Sequence, residues 1–334
     1  MASLQEIRQR IAAQENKSNN KGSGTQSDNS IYPHWNIDEG TVATVRFLPD
    51  GNDKNTFFWV ERQIIKLSFN GVKGDSNMKK VDVQVPCMEM YGESCPILAE
   101  VRPWYKDETL KEMANKYWKK HSYLFQGFVR QNPLGDDKTP TNPIRRFIIS
   151  PQIFTIIKSS LMDPEMEELP TDFLRGLDFN IKKTNKGGYA DYSTSTWARK
   201  ESALTESEQN AIQAHGLFNL TEFLPKKPTE AELKIIKEMF EASVDGQPYD
   251  NERWGAYYRP YGLEAPAGAT ADKQQSSQGT VSTPAPAPVA ESSAPWEENE
   301  PQSSSQPVEV PKPAGSDKAQ DIIALIRARQ NKTA

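Results

Sequence analysis

Aromatic and basic residues alternate in three clusters between residues 116 and 197. The first cluster is Lys116-Tyr117-Trp118-Lys119-Lys120-His121-Ser122-Tyr123. The second is Arg145-Arg146-Phe147, and the third contains Lys182, Lys183, Lys186, Tyr189, Tyr192 and Trp197. A nucleic-acid strand presents one phosphate and one flat base per nucleotide. Cations bind the phosphates, and aromatic rings stack on the bases at about 1–3 kcal/mol per base. The pattern therefore favours binding of a single strand.

Each of these residues also has a simpler interpretation. A lysine usually belongs to a solvated face, and an aromatic ring usually packs in a core. Phe125, Phe147 and Phe179 lie in alternating strand patterns, which predicts core positions for them. Trp118, Tyr189 and Tyr192 lie beside lysine pairs or glycine turns, which favours contact with bases. The predicted strand-binding residues are Trp118, Lys119, Lys120, Tyr123, Arg130, Arg145, Arg146, Lys182, Lys183, Lys186, Tyr189 and Tyr192.

The overall charge looks unfavourable for such binding, because the 334 residues carry a net charge of -5. The distribution of charge matters more than its sum. Residues 101–200 hold about five more cations than carboxylates, 17 against 12. A hydrophobic fraction of 36% predicts a folded middle with polar ends. Two cysteines cannot build a disulfide framework, which favours a reducing cytoplasm.

The elements that must position these clusters are mostly short strands. Residues 41–48, 57–69, 81–85, 122–130, 144–149 and 179–181 have strand patterns, and residues 189–198 return after the Gly187-Gly188 turn. Helical patterns cover residues 110–120, 152–162, 205–215 and 228–244. We therefore predict an α+β fold with a mainly β core: a partly open barrel similar to oligonucleotide-binding folds.

The two ends of the chain differ in composition from this core, which we place at residues 31–262. Residues 1–17 predict a basic arm helix that carries Leu4, Ile7, Arg8, Arg10 and Ile11, followed by a flexible linker over 18–30. Residues 263–315 predict a disordered Pro/Ala/Ser-rich tail. Residues 316–334 predict an amphipathic interaction helix. The predicted partner-binding residues are Trp296, Ile322, Ile326, Arg327 and Arg329.

Five segments, taken in order, resemble one known family. They are Val42-Ala43-Thr44-Val45-Arg46-Phe47-Leu48-Pro49, Tyr91-Gly92-Glu93-Ser94-Cys95-Pro96, Lys119-Lys120-His121-Ser122-Tyr123, Gly176-Leu177-Asp178-Phe179-Asn180-Ile181-Lys182 and Gly188-Tyr189-Ala190-Asp191-Tyr192. Together they resemble the single-stranded DNA-binding (helix-destabilising) proteins of T-even-like bacteriophages, over residues 1–200.

The resemblance implies an oligonucleotide-binding barrel, a small metal subdomain at about residues 70–100 and an N-terminal arm that docks on the next protomer. It also places Lys119, Lys120, Tyr123, Tyr189 and Tyr192 along a DNA cleft. The family's zinc site uses three Cys and one His. Here Cys87 and Cys95 match two of these ligands, and Leu98 stands at a third position. Four ligands are the rule for structural zinc, so we expect no cofactor, with His34 or His121 as the alternative ligands.

The function we expect is cooperative, sequence-independent coating of single-stranded DNA during phage replication, recombination and repair. The expected partners are the strand, further copies bound head to tail, and replication and recombination proteins. The alternative is a scaffolding protein that recruits partners through its terminal helices. An enzyme is not expected, because the sequence has no P-loop, His-Glu-x-x-His or Gly-x-Ser-x-Gly motif. The expected location is the cytoplasm of the infected host, outside the virion.

Overall fold

The computed structural model of this chain describes residues 30–75, 79–135 and 140–263. The predicted arm, nearly all of the linker, the tail and the C-terminal helix lie outside these residues. The predicted contacts that lie there are Leu4, Ile7, Arg8, Arg10, Ile11, Trp296, Ile322, Ile326, Arg327 and Arg329. Within the described ranges, no helix is long and apolar enough to cross a membrane.

Seven strands form one antiparallel sheet at the centre of the molecule. They are β1 (Val42–Phe47), β2 (Val60–Phe69), β3 (Val81–Pro86), β4 (Lys120–Gln131), β5 (Arg145–Ile149), β6 (Leu177–Lys182) and β9 (Thr196–Glu201). The order is β3-β2-β4-β1-β6-β9, with β5 paired to β4. β7 (Thr184–Lys186) and β8 (Tyr189–Asp191) form a separate hairpin. The predicted α+β class with a mainly β core is confirmed, and the described sheet is not closed.

The long strand β4 bends the sheet because it has three partners. Its first half pairs with β2, its middle with β5 on the opposite edge, and its last part with β1. At Gly127 the β1 and β5 pairings meet, opposite Phe47 and Arg145. A Cβ atom there would lie 2.1 Å from the carbonyl oxygen of Arg46, so only glycine permits this close approach.

An aromatic core fills one side of this bent sheet. The ring of Phe47 lies 4.7 Å from that of Phe125, 5.6 Å from Phe147 and 5.8 Å from Phe179, measured between centroids. Helix α3 (Pro151–Leu161) covers these rings with Ile153 and Ile157. The predicted core positions of Phe125, Phe147 and Phe179 are confirmed, since all three are fully buried.

A second hydrophobic core, which we call the lobe, packs on the far half of β2 and on β3. It includes the buried Cys87 and Cys95, the helices α1 (Pro96–Val101) and α2 (Lys111–Tyr117), and residues from α5 (Glu230–Val244) and α6 (Asn251–Trp254). The predicted cysteine-containing subdomain at about residues 70–100 is therefore only part of this unit. Residues 236–258 return to complete it, because Ile236, Met239 and Phe240 face the cysteine segment.

The remaining predicted helices begin where the sequence provides a capping box. α4 (Glu206–His215) begins after Thr205, whose side chain accepts the N–H of Glu208 while the Glu208 carboxylate accepts the N–H of Thr205. Thr229 and Glu232 do the same for α5. Reciprocal bonds of this kind satisfy two free N–H groups at a helix start, which explains the accuracy of the predicted boundaries.

Candidate nucleic-acid interface

Four aromatic side chains from three separate segments stack into a row at the surface, which we call the aromatic ladder. Tyr123 of β4 lies face to face with Phe154 of α3, at 3.5 Å between ring centroids and 12° between planes. Phe154 meets Trp59 at 5.3 Å, and Trp59 meets Phe57 at 4.8 Å. Phe57, at the outer end, is 57% exposed, while the other three rings are partly buried.

Local geometry explains why the ladder's outer rings face outward. Phe57 and Phe58 lie in a bend just before β2. Phe58 is buried in the aromatic core and Trp59 packs on the edge of that core, whereas the ring of Phe57 is left exposed. The side-chain amide of Asn55 donates to Asp50 at 2.7 Å and to the carbonyl of Trp59 at 3.1 Å. Trp59 also stacks over Phe125 at 5.8 Å, which anchors its indole ring.

The β7–β8 hairpin, which we call the finger, holds a second exposed aromatic ring. Tyr189 is 58% exposed and pairs across the hairpin with Lys186, which is also exposed. The turn uses Gly187 and Gly188 at φ of 65° and 88°. This is left-handed backbone, which glycine adopts without strain. The predicted placement of an exposed tyrosine beside a lysine at this turn is confirmed.

Helix α3 stands between the finger and the ladder. Gln152 donates to Asp191 at 2.5 Å and accepts the N–H of Tyr192 at 2.8 Å, which fixes the base of the finger. Phe154, two residues further on, belongs to the ladder. Two residues correspond to about 200° around a helix, so the finger and the ladder adjoin opposite flanks of the first turn of α3.

Tyr192 does not lie where a base could stack on it. The residue is fully buried in the aromatic core, beside His34 at 5.9 Å between ring centroids. Burial raises the pKa of its hydroxyl above the usual range. The prediction of Tyr192 as a base-stacking residue is therefore wrong for this structure, because both faces of the ring are covered.

The three predicted arginines hold the fold together. Arg130 binds Asp178 and Glu208, each at 2.8 Å. Arg146 lies over the ring of Phe223, at 3.7 Å from its centroid, and Arg145 lies over Tyr32 at 5.6 Å. Both Arg145 and Arg146 are buried. The structure thus gives these guanidinium groups internal partners, and their prediction as phosphate contacts is corrected accordingly.

The first sequence cluster faces the lobe more than the ladder. Lys119 pairs with Glu89 at 2.8 Å and donates to Gln63 at 3.1 Å. Lys120 donates to the carbonyl of Asn115 at 3.3 Å. The indole ring of Trp118 packs against the lobe, edge to face with Tyr105 at 5.2 Å. Of the predicted cluster, only Tyr123 joins the ladder. Trp118, Lys119 and Lys120 contact the lobe, and their role in strand binding stays a prediction.

The other predicted lysines lie near the finger. Lys183 donates to the carbonyl of Trp35 at 2.8 Å, so part of its hydrogen-bonding capacity is used within the fold. Lys182 is partly buried at the end of β6. Lys158, which the sequence clusters did not include, is exposed on α3 one turn after Phe154. Lys158 and Lys186 therefore supply exposed positive charge on α3 and on the finger.

The two thiols of the lobe do not assemble a zinc site with their described surroundings. Cys87 and Cys95 are buried and hydrogen-bonded to each other, which lowers the pKa of Cys95 and raises that of Cys87. Across the described ranges, no group of three or more His, Cys, Asp or Glu could hold a metal. His34 lies in contact with Trp35 and Tyr192, and His121 is bonded to Glu61, so neither alternative ligand joins the thiols.

Three ladder residues were missed by the sequence analysis: Phe57, Trp59 and Phe154. The three sequence clusters consist of aromatic residues next to Lys or Arg, and Phe57, Trp59 and Phe154 have no such neighbour in the chain. A usable signal was nevertheless present. Three successive aromatic residues at 57–59 cannot all face one side of an extended strand, so at least one must point away from the core.

Comparison of the sequence with models of known protein families gave no match, and comparison with curated protein sequences gave none either.

Proposed function

We propose that this chain binds single-stranded DNA without sequence preference and coats it cooperatively. In this proposal it acts in phage DNA replication, recombination and repair, and it recruits partner proteins through its C-terminal tail. The observation that carries the proposal is the aromatic ladder. Its four rings form a row that ends in the exposed Phe57, on a protein whose other phenylalanines are mostly buried.

Stacking explains why such a row would be kept at a surface. An exposed apolar patch is costly for solubility and usually marks an interaction site. Every base has a flat face, so rings that stack on bases bind a strand without reading its sequence. The partly buried rings of Trp59, Phe154 and Tyr123 hold the ladder rigid, and Phe57 offers a free face at its end. A rigid platform limits the entropy lost on binding.

Charge around the ladder supports a path for the phosphates. Lys158, one turn after Phe154 on α3, and Lys186 on the finger are both exposed. Lys54 lies exposed in the loop that leads to Phe57. Glu61, paired with His121 beside Tyr123, is the opposing charge at the inner end of the ladder. The strand would therefore enter over Phe57 and leave toward the finger.

The finer architecture fits the same proposal. Oligonucleotide-binding folds are small, partly open barrels. A strand that pairs with several partners on both edges bends a sheet toward that shape. β4 plays this part here, with β1, β2 and β5 as partners. We infer that the open sheet is a variant of that barrel, whose exposed flank carries the ladder.

A fluorescence titration tests the proposal directly. Oligo(dT) added to the full chain at low salt should quench tryptophan emission, because bases stack next to Trp59. The binding constant should fall steeply with salt, by a slope of about -0.7 for each phosphate neutralised. Duplex DNA of equal length should bind at least about tenfold more weakly, since its bases are already stacked.

Two conservative variants identify the source of the signal. Trp59→Phe keeps an aromatic ring in the ladder, so it should retain binding, measured by anisotropy of labelled DNA, but lose most of the quenching. Trp104→Phe changes a buried indole of the lobe and should leave the quenching intact. Absence of quenching by oligo(dT) at low salt, or equal affinity for duplex, would reject the proposal.

The terminal segments should have opposite effects on cooperativity. Ile7-Arg8-Gln9-Arg10 near one end is similar to Ile326-Arg327-Ala328-Arg329 near the other, which suggests competition for one surface. Deleting residues 1–17 should reduce coating of long poly(dT) to isolated binding. Deleting residues 316–334 should increase cooperativity. Titrations on long and short oligo(dT) measure the difference, because an oligonucleotide that holds one protomer reports affinity without cooperativity. Unchanged cooperativity in both truncated proteins would show that the terminal segments do not compete for one surface.

A further inference from the structure

Four of the seven large hydrophobic side chains that are exposed in the described residues lie between residues 162 and 174. Met162 is 77% exposed, Leu174 72%, Leu169 62% and Phe173 37%. This segment follows α3 and forms tight turns, since Asp172 bonds back to Leu169 and Leu177 to Pro170. We call it the acidic apolar surface. Such a concentration of exposed apolar groups marks an interaction site.

The same thirteen residues carry negative charge only. They contain five carboxylates and no Lys or Arg: Asp163, Glu165, Glu167, Glu168 and Asp172. Two of these serve the turns, because Asp163 accepts the N–H of Glu165 and Asp172 accepts those of Leu174 and Arg175. Glu168 pairs with Arg175. Glu165 and Glu167 are exposed beside the apolar side chains and can pair with an incoming cation.

The chain itself contains a segment of complementary chemistry. Residues 316–334 combine four clustered apolar residues with four cations and two carboxylates, so their side chains carry a net charge of about +2. The apolar group is Ile322, Ile323, Leu325 and Ile326, and the cations that follow it are Arg327, Arg329 and Lys332. At helical spacing, Ile322, Leu325 and Ile326 share one face, which is the arrangement of a helix that docks in an apolar groove.

The intervening chain is long enough for this segment to reach the surface of its own protomer. About 60 residues separate Leu263 from Ile322. For a chain without a core, as the composition of residues 265–315 predicts, this length gives an r.m.s. span of about 40–45 Å. The radius of gyration of a folded unit of the described size is about 17 Å. A flexible connection of this kind gives an effective concentration that approaches the millimolar range.

We propose that the C-terminal segment 316–334 docks on the acidic apolar surface of its own chain. Ile322, Leu325 and Ile326 cover Met162, Leu169 and Leu174, while the arginines that follow pair with Glu165 and Glu167. This interaction does not require DNA. While residues 316–334 are docked, their cations cannot bind the DNA strand or other partners. A competitor that binds the acidic apolar surface releases them.

Zero-length carbodiimide cross-linking of the full chain, without DNA, tests the docking. The reagent joins a lysine to a carboxylate only at contact distance. A mixture of ¹⁴N- and ¹⁵N-labelled protein separates links within one chain from links between chains by mass. We expect amide links within one chain from Lys332 or Lys318 to Glu165 or Glu167. Links from residues 316–334 to this surface only between chains, or no link from them to this surface, would each overturn the proposal.

A charge-reversal cycle adds a second readout. Arg327→Glu/Arg329→Glu changes only the tail and should reduce the cross-linked product at least about fivefold. Adding Glu165→Lys/Glu167→Lys to that variant should restore linkage, now between positions 165 or 167 and positions 327 or 329. Glu112→Lys/Glu241→Lys, which reverses two exposed carboxylates of the lobe, is the matched control and should not restore it. Failure of the specific swap to restore linkage would also overturn the proposal.

Discussion

Replacing Phe57 by alanine is expected to weaken binding of single-stranded DNA by about 5- to 150-fold, while the fold stays intact. The range corresponds to the 1–3 kcal/mol that one stacked base contributes. Phe57 is 57% exposed, so its removal leaves no cavity in the aromatic core. Its one ring contact in the described structure is Trp59, at 4.8 Å. Anisotropy titrations with labelled oligo(dT) give the affinity, and the melting temperature reports the fold.

Two controls separate stacking from loss of apolar surface. Phe57→Tyr keeps an aromatic face and should bind within about threefold of the unmodified protein, whereas Phe57→Leu keeps apolar area without the face and should resemble alanine. Tyr261→Ala removes an exposed ring at the far end of the described chain and should not change affinity. If Phe57→Ala and Tyr261→Ala bind equally well, the ladder does not hold the strand.

The local elements could be predicted because their signals are local. β1 and β3 follow from alternation over six residues, and α4 and α5 begin at capping boxes that span four residues. The lobe could not be delimited in this way. Its core joins residues 65–117 to residues 236–258, and no pattern within either segment shows that the other completes it.

The candidate site was also hard to predict, because its residues come from distant parts of the sequence. A cluster of cations and rings in the sequence records neighbours along the chain, but a binding surface is built from neighbours in space. Arg130 looked like a phosphate contact until the fold placed Glu208 and Asp178 against it. Phe154 has no Lys or Arg beside it in the sequence, so it belongs to none of the three clusters. Its position two residues from Gln152 turns it toward Tyr123 and Trp59.

A buried charge network ties β1 to the strands beyond it, and it was not visible in the sequence. Arg46 is fully buried on β1. It donates to the carbonyls of Asp172 and Ser202, both at 2.7 Å, and approaches Asp178 at 3.4 Å. Arg130 binds the same Asp178. Burial lowers the pKa of Arg46, and the neighbouring Arg130 lowers it further, against the opposing effect of Asp178.

Asp178→Ala is therefore expected to destabilise the protein by about 3–5 kcal/mol, the usual effect of removing one partner of a buried ion pair. Two guanidinium groups would then face each other with Glu208 as the remaining carboxylate of the network. Such a loss is about a fifth or more of the stability of a typical domain. Urea unfolding at neutral pH, followed by circular dichroism, measures the free energy of unfolding.

An exposed ion pair of similar composition provides the control. Arg175 binds Glu201 with two hydrogen bonds, at 2.9 Å and 3.0 Å, but its side chain is 56% exposed. Exposed pairs contribute about 0–1 kcal/mol, because water solvates either partner once the other is gone. Glu201→Ala should therefore leave the free energy of unfolding nearly unchanged. If Asp178→Ala and Glu201→Ala lowered the free energy of unfolding equally, that result would mean that water solvates the network around Arg46, and that Arg130 is exposed enough to contact a phosphate.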